Sequence, residues 1–273
     1  MSVSFKVACV QNCAGNDLER NIGETTALTR AAAADGAQLV CLPEYFAFMA
    51  PNDQELLQAA PVEDGHPALK AYCALAAELK VWVLLGSLAI KLPSGRVNNR
   101  SYLIDAEGRI VASYNKIHLF DVALKHGETY LESATVEPGE QAVVAETPWG
   151  PLGMTVCYDV RFAYLYRRLA QAGAMFLTVP AAFTRTTGQA HWHVLLRARA
   201  IETGSFVFAP AQCGIREWGR ATFGHSLIVD PWGHVLAEGD DEPGYIIAEV
   251  DVDRVAETRR MIPSLQHDRS IRQ

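Results

Sequence analysis

LIDAEGRIVA at residues 103–112 and IVDPWGHVLA at residues 228–237 write the same turn twice. Asp105, Gly108 and Ala112 fall on Asp230, Gly233 and Ala237 at a constant offset of 125. Asp and Gly favour tight turns and the β-branched neighbours suit paired strands, so each stretch predicts a hairpin. Upstream of the first hairpin, Val3–Val10 reads as a strand, and Asn16 as the N-cap of a helix over Asp17–Ala34 that closes near Gly36. Leu39–Leu42 reads as a buried strand, Pro67–Leu79 as a helix and Val81–Leu85 as a strand. The second half repeats the order: strand Leu152–Val156, helix Phe162–Gln171, strand Ala174–Val179, helix Gln189–Thr203, strand Phe206–Pro210. Two β-α-β-α-β-hairpin halves without a linker predict one domain over residues 1–273, with a core of about 4–252 and a C-terminal tail of 253–273. The fold class is α/β, an α-β-β-α sandwich of two pseudo-symmetric halves, with an ordinary open α/β sheet as the alternative.

Composition narrows the function. The chain has 273 residues, 49% of them hydrophobic and 20% charged, and a net charge of −7. An acidic chain whose only basic clusters are the pairs Arg167–Arg168 and Arg259–Arg260 does not suit a phosphate backbone, so nucleic acid is excluded as a partner. No apolar run approaches the roughly 20 residues that span a bilayer, and MSVSFKVACVQNCAG lacks the pattern of a secretory signal. A cytoplasmic enzyme with no membrane partner is the expectation. Cys9, Cys13, Cys41, Cys73, Cys157 and Cys213 form no CxxC pair, which fits free thiols in a reducing compartment. His191 and His193 lack the i, i+4 spacing of two ligands on one helical face, so no metal is expected. No GxGxxG or Walker pattern supports a nucleotide cradle.

Three segments carry candidate chemistry. In LGMTVCYDVRF an apolar strand ends at Cys157 and a helix follows; backbone N–H groups there would favour thiolate and could hold an oxyanion. In LVCLPEYFAF, Glu44 lies among aromatic residues, whose poor solvation would raise its pKa toward that of a general base. In SYNKIHLFD, Lys116 ends a hairpin strand and could donate to a developing oxyanion. Taken singly, each has a plain alternative: core filling for Cys157, a rim or capping carboxylate for Glu44, a solvated strand end for Lys116. A papain-like histidine base, His118 first among the candidates, is a further alternative.

Together the segments resemble the nitrilase superfamily of carbon–nitrogen hydrolases over nearly the whole chain. The family's Glu–Lys–Cys triad matches LPEYF at Glu44, NKIHLFD at Lys116 and VCYDVRF at Cys157, in the same order. A further family glutamate matches Glu132 in YLESATVEPGE, with Glu128 as competitor. Within the superfamily, FDVALKHGETYLES, GQAHWHVLLRARAIETGSFVFAPAQCG and GHSLIVDPWGHVLAE resemble the branch of amidases that act on deaminated glutathione, with ω-amidases acting on 2-oxoglutaramate as the next relatives. The resemblance implies the sandwich fold, a homodimer, a small-molecule amide substrate, no cofactor and hydrolysis through a Cys157 thioester. It also implies that Lys116 and the Tyr158 N–H hold the oxyanion and that Glu132 orients Lys116 or the water. For a carboxylate of the substrate, Arg185, Thr186 and Thr187 in AAFTRTTGQ follow a strand end on the side of Cys157, whereas Arg161 beside Asp159 reads as structural.

Overall fold

A computed structural model of the chain describes residues 3–124 and 129–270. The first half runs β1 (Ser4–Gln11), α1 (Leu18–Ala34), β2 (Leu39–Cys41), α2 (Asp53–Ala59), α3 (Pro67–Leu79), β3 (Trp82–Lys91) and the hairpin β4 (Val97–Ile104)–β5 (Ile110–Asn115). A two-stranded ribbon, β6 (Asp121–Ala123) and β7 (Thr129–Leu131), leads to the second half. That half runs β8 (Val143–Ala145), β9 (Leu152–Met154), α4 (Ala163–Gln171), β10 (Phe176–Thr178), α5 (Arg185–Thr203), β11 (Phe206–Ala209) and the hairpin β12 (Leu227–Val229)–β13 (Val235–Glu238). β14 (Gly244–Asp251) and α6 (Asp253–Met261) complete the described chain, apart from short 3-10 turns.

The strands form two six-stranded sheets ordered β14-β1-β2-β3-β4-β5 and β13-β12-β11-β10-β9-β8. In each, three parallel strands stand beside an antiparallel hairpin, and an antiparallel strand closes the other edge. Successive side chains of a strand point to opposite faces. Phe5, Val7 and Cys9 of β1 therefore join a core shared with Leu152, Met154, Phe176 and Phe208 of the second sheet. The alternate residues Ala8 and Val10 join a core with Ala32 of α1 and Leu69, Tyr72 and Leu75 of α3. Trp192, Leu196 and Ala200 of α5, with Leu165 and Leu169 of α4, cover the outer face of the second sheet. The result is the α-β-β-α sandwich. Phe5 knits the sheets together, stacked on Trp149 at 4.3 Å and meeting Phe176 edge-on at 5.4 Å.

The α3 boundaries coincide with the sequence reading, closed by Lys80 in the left-handed region at φ 56°. Three helix starts differ, that of α4 by one residue, since Phe162 is its cap and Ala163 its first residue. Asp17, not Asn16, caps α1, because its carboxylate is the one that reaches the Arg20 N–H, at 3.0 Å. α5 begins at Arg185 rather than Gln189, and so takes in Gly188. A helical glycine reads as a break, but here it makes room: an added Cβ would lie 2.3 Å from the Phe223 ring. The segment after residue 252 docks on the second half, where Arg259 donates to Ala174 O (2.6 Å), Ser205 Oγ (2.8 Å) and Thr203 O (3.1 Å).

Candidate active site

Glu44 follows β2 and Pro43 in a sharp turn whose next residue, Tyr45, has φ 54°. The turn is braced from several sides. Ser87 Oγ accepts from the Tyr45 N–H (3.1 Å), Gln212 donates to Glu44 O (3.1 Å), and Asn12 donates to Phe46 O (2.9 Å). Gly86 of β3 lies beneath it, and any Cβ there would meet Leu42 O at 1.9 Å, so only glycine lets the two backbones approach this closely. Lys116 leaves the end of β5, its N–H bonded to Asn99 O (2.9 Å) and its carbonyl to the Gly139 N–H (2.8 Å). Cys157 follows β9 at φ 50° and opens a 3-10 turn before α4. Non-glycine residues in the left-handed region are strained and concentrate at functional sites; Tyr45 and Cys157 place two of them side by side in one cleft.

Four side chains converge there. Lys116 Nζ donates to Glu44 Oε1 at 2.9 Å and to Glu132 Oε2 and Oε1 at 2.8 and 3.0 Å. Asn99 Nδ2 bridges the same two carboxylates, 2.8 Å from Glu44 Oε1 and 3.2 Å from Glu132 Oε1. The Ala182 N–H holds Glu44 Oε2 (2.8 Å) and the Phe120 N–H holds Glu132 Oε2 (2.6 Å). The Cys157 thiol lies near enough to Glu44 for each to shift the other's ionisation. Glu44, Lys116 and Cys157 are all buried, so each partnership offsets a large desolvation cost. Glu128 lies outside the described residues.

The electrostatics correct two expectations. Burial pushes the Glu44 carboxyl up, but the Lys116 ammonium, with hydrogen bonds from Lys116, Cys157 and the Ala182 N–H, brings it below the ordinary value. Burial and then the Glu44 charge push the Cys157 thiol well above its ordinary value, outweighing Lys116 and the Ala182 N–H. The resting pair is a carboxylate facing a neutral thiol, not a free thiolate beside a raised carboxyl. Burial alone would neutralise Lys116, yet Glu132, Glu44 and Cys157 raise it well above its ordinary value and keep it an ammonium. A carboxylate touching a thiol can take its proton, and an ammonium beside both can donate to a nascent oxyanion. Tyr158 is the second residue of the 3-10 turn, where the N–H has no acceptor within the turn.

The cleft around this cluster has a volume of about 960 Å³, and Tyr158, Arg185, Thr186 and Thr187 line it with the triad. Arg185 is partly exposed and lies 4.0 Å from Asp241, while Thr187 is bonded to Thr184 Oγ1 at 2.7 Å. Arg161 stays away from the lining, its guanidinium over the Phe183 ring at 5.2 Å. His118 is committed elsewhere, stacked on Phe162 and bonded through its two ring nitrogens to Asp159 and Tyr164. Asn99 and Phe120 were not singled out in the sequence; the visible sign was VNNRSY, an asparagine pair inside a buried strand that must find partners. One group outside the cleft brings three metal-ligand atoms within 4.8 Å: His193, His225 and Glu238. Both rings bond to Glu238 Oε1 at 2.9 Å, which accounts for the arrangement without an ion, and residues this distant in sequence have no spacing to read.

Among the described residues no helix is long and apolar enough to cross a membrane. The chain is similar to the deaminated glutathione amidase of Synechocystis sp., 42% identical over 96% of this chain and 97% of the relative. It is 41% identical to the deaminated glutathione amidase of Homo sapiens, over 96% of this chain and 82% of the relative. The crystal structure of the C. elegans NitFhit protein superposes with a TM-score of 0.91 at 36% identity, covering 98% of this chain and 66% of that one. A family model described as carbon-nitrogen hydrolase matches residues 6–260, a span that holds both sheets and every side chain of the buried cluster. The chain therefore belongs to the carbon-nitrogen hydrolase family of the nitrilase superfamily, and is a hydrolase of non-peptide C–N bonds.

Proposed function

We propose that the enzyme hydrolyses the amide of deaminated glutathione to 2-oxoglutarate and Cys-Gly, with Glu44, Lys116 and Cys157 as catalytic residues. The observation that carries the chemistry is the Lys116 ammonium held between Glu44 and Glu132 beside the Cys157 thiol. Glu44 takes the thiol proton as sulfur attacks the amide carbon. Lys116 and the Tyr158 N–H receive the charge on oxygen. Glu44 returns the proton to the departing amine as the C–N bond breaks, leaving a Cys157 thioester. Water then gives a proton to Glu44 and its oxygen to the acyl carbon, and the thiol recovers the proton. Glu132 and Asn99 act through Lys116, holding it in place between the carboxylates.

The substrate reading is supported by the two relatives named for this amide and by a cleft roomy enough for a tripeptide-sized molecule. Arg185, at the start of α5, takes one of its carboxylates, with Thr186 and Thr187 beside it. Six free cysteines support a cytoplasmic location. The exposed Val194 and Ile201 of α5 support a homodimer. The test is a panel of deaminated glutathione, 2-oxoglutaramate, glutamine and simple nitriles, compared by kcat/KM. Deaminated glutathione should lead, and Arg185→Ala should lower its value about ten- to a hundredfold, the worth of one charged hydrogen bond. A wide preference for 2-oxoglutaramate would replace this reading with an ω-amidase.

A further inference from the structure

Three donors in the cleft are shut off from solvent and have no hydrogen-bond partner: Tyr45 Oη, Trp218 Nε1 and Arg220 Nε. Buried polar groups are paired in the great majority of cases, and each unpaired one carries a desolvation cost. Three such donors in one cavity call for an acceptor that the described residues do not supply. Arg220 makes no ion pair among the described residues and rests its guanidinium 5.6 Å from the Tyr130 ring centre. Arg216, four residues earlier, is buried too, and its guanidinium meets only carbonyl, amide and hydroxyl oxygens: Ala14 O, Gln212 Oε1, Thr222 Oγ1, Cys213 O and Gly214 O. The 213–222 loop thus brings two cations to this side of the molecule, and among the described residues neither has a carboxylate in an ion pair. Arg185 is different, since it has Asp241 nearby. The Tyr45 hydroxyl lines the same cleft as Glu132 and Arg220 and lies within electrostatic reach of both.

We infer that Tyr45, Trp218 and Arg220 form a carboxylate-binding subsite, so that the preferred substrates of this cleft are amides carrying an anionic group. A carboxylate has two oxygens and about four lone-pair positions, enough for a guanidinium N–H, an indole N–H and a phenol together. The inference rests on the amidase reading and names the class of amide it selects. The carboxylate can belong to the acyl part or to the leaving amine, and the test separates the two.

Three amides serve as probes: glutaramate, with its carboxylate on the acyl side; N-butyrylglycine, with its carboxylate on the amine side; and butyramide, with none. The quantity read is each carboxylated amide's kcat/KM divided by that of butyramide. Arg220→Met should lower this ratio about ten- to a hundredfold for one of the two, and the one affected identifies the end that is bound. Arg220→Lys keeps the charge without the fork and should recover part of the ratio. Tyr45→Phe removes one donor at nearly constant volume, and Trp218→Phe removes another with loss of one ring; each should lower the ratio by a smaller factor, which covers an Arg220 variant that fails to fold. Binding of glutarate to the Cys157→Ala protein, followed by calorimetry, should be lost when Arg220→Met is added. Ratios that stay constant because all three amides lose equally, or glutarate binding that survives Arg220→Met, would overturn the subsite. A wild-type enzyme that turns over none of the amides and forms no acyl adduct on Cys157 would instead remove the amidase reading, and glutarate binding would still judge the subsite.

Discussion

In the first hairpin, Asp105 Oδ1 accepts from the N–H groups of Glu107 and Arg109; in the second, Asp230 Oδ1 accepts from those of Trp232 and His234. Gly108 and Gly233 both have positive φ, 79° and 87°, and each presses on a helix of its own half, Gly108 on Cys73 O of α3 and Gly233 on Ile201 of α5. The ends of the parallel strands are another matter. The hairpin register aligns Leu84 with Phe208, and hence the row Val7–Leu39–Trp82 with Leu152–Phe176–Phe206. Counting outward, Asn12 stands where the second half has Cys157, and Ala181 where the first half has Glu44. The counterparts are not idle. Asn12 ties down Phe46 O in the acid-bearing turn, and the residue after Ala181 gives its N–H to Glu44. Turn chemistry is local and can be repeated unchanged. A reaction needs unlike groups facing one another, and in the proposed mechanism one copy of each loop carries the reacting atom while the other steadies it.

That division of labour can be broken by substitution. Cys157→Ala should abolish turnover, and intact-mass analysis of the wild type with substrate should place the acyl adduct on Cys157; near-normal turnover by the alanine variant would end the thioester mechanism. Lys116→Met should lower kcat by roughly 10²–10³, the usual loss on removing one oxyanion donor. A lysine with only a strand-end role would leave kcat unmoved. Asn12→Ala, at the position matching Cys157, should instead cost stability of about 1 kcal/mol for one hydrogen bond, measured by denaturant titration, with a far smaller fall in kcat. A loss of turnover as complete as that of Cys157→Ala would erase the distinction between reacting and supporting loops.

The pH profile sharpens the same picture with the smallest effect. The Glu44 carboxyl is held below its ordinary value, so its ionised form and the stability it brings persist as pH falls through neutrality. Both should be lost only as pH drops below the ordinary glutamate range of about 4.3. An acid limb of kcat/KM near pH 6.5 would point to a histidine base and against Glu44.

Much of this was legible in the chain. The repeated D-x-x-G turns announced two halves, and α3 could be bounded because Pro67 and Lys80 stand at its ends. The three residues that meet in the buried cluster, Glu44, Lys116 and Cys157, could be singled out because each follows a strand within a distinctive local stretch. What could not be read was contact between segments. The ionisation of Glu44 turns on Lys116, far away in sequence, and that of Cys157 on its burial and on Glu44, so local judgements gave the wrong direction for both. The start of α5 was missed because Gly188 answers to Phe223 rather than to its own helix. Asn99, Trp218 and Arg220 matter through where their donors point, which no spacing records.

The neutral state of the buried Cys157 thiol bears on how the enzyme survives in a cell. Peroxide and simple alkylating agents react with thiolate, and a little-exposed sulfur whose thiol is pushed well above its ordinary value offers them little of it. In the proposed mechanism Glu44 removes that proton as an electrophile settles against Lys116, which would make reactivity follow the shape of the incoming molecule. Damage by small oxidants should therefore fall first on other sulfurs, and an inhibitor that reaches Cys157 must look like an amide before it behaves like a reagent.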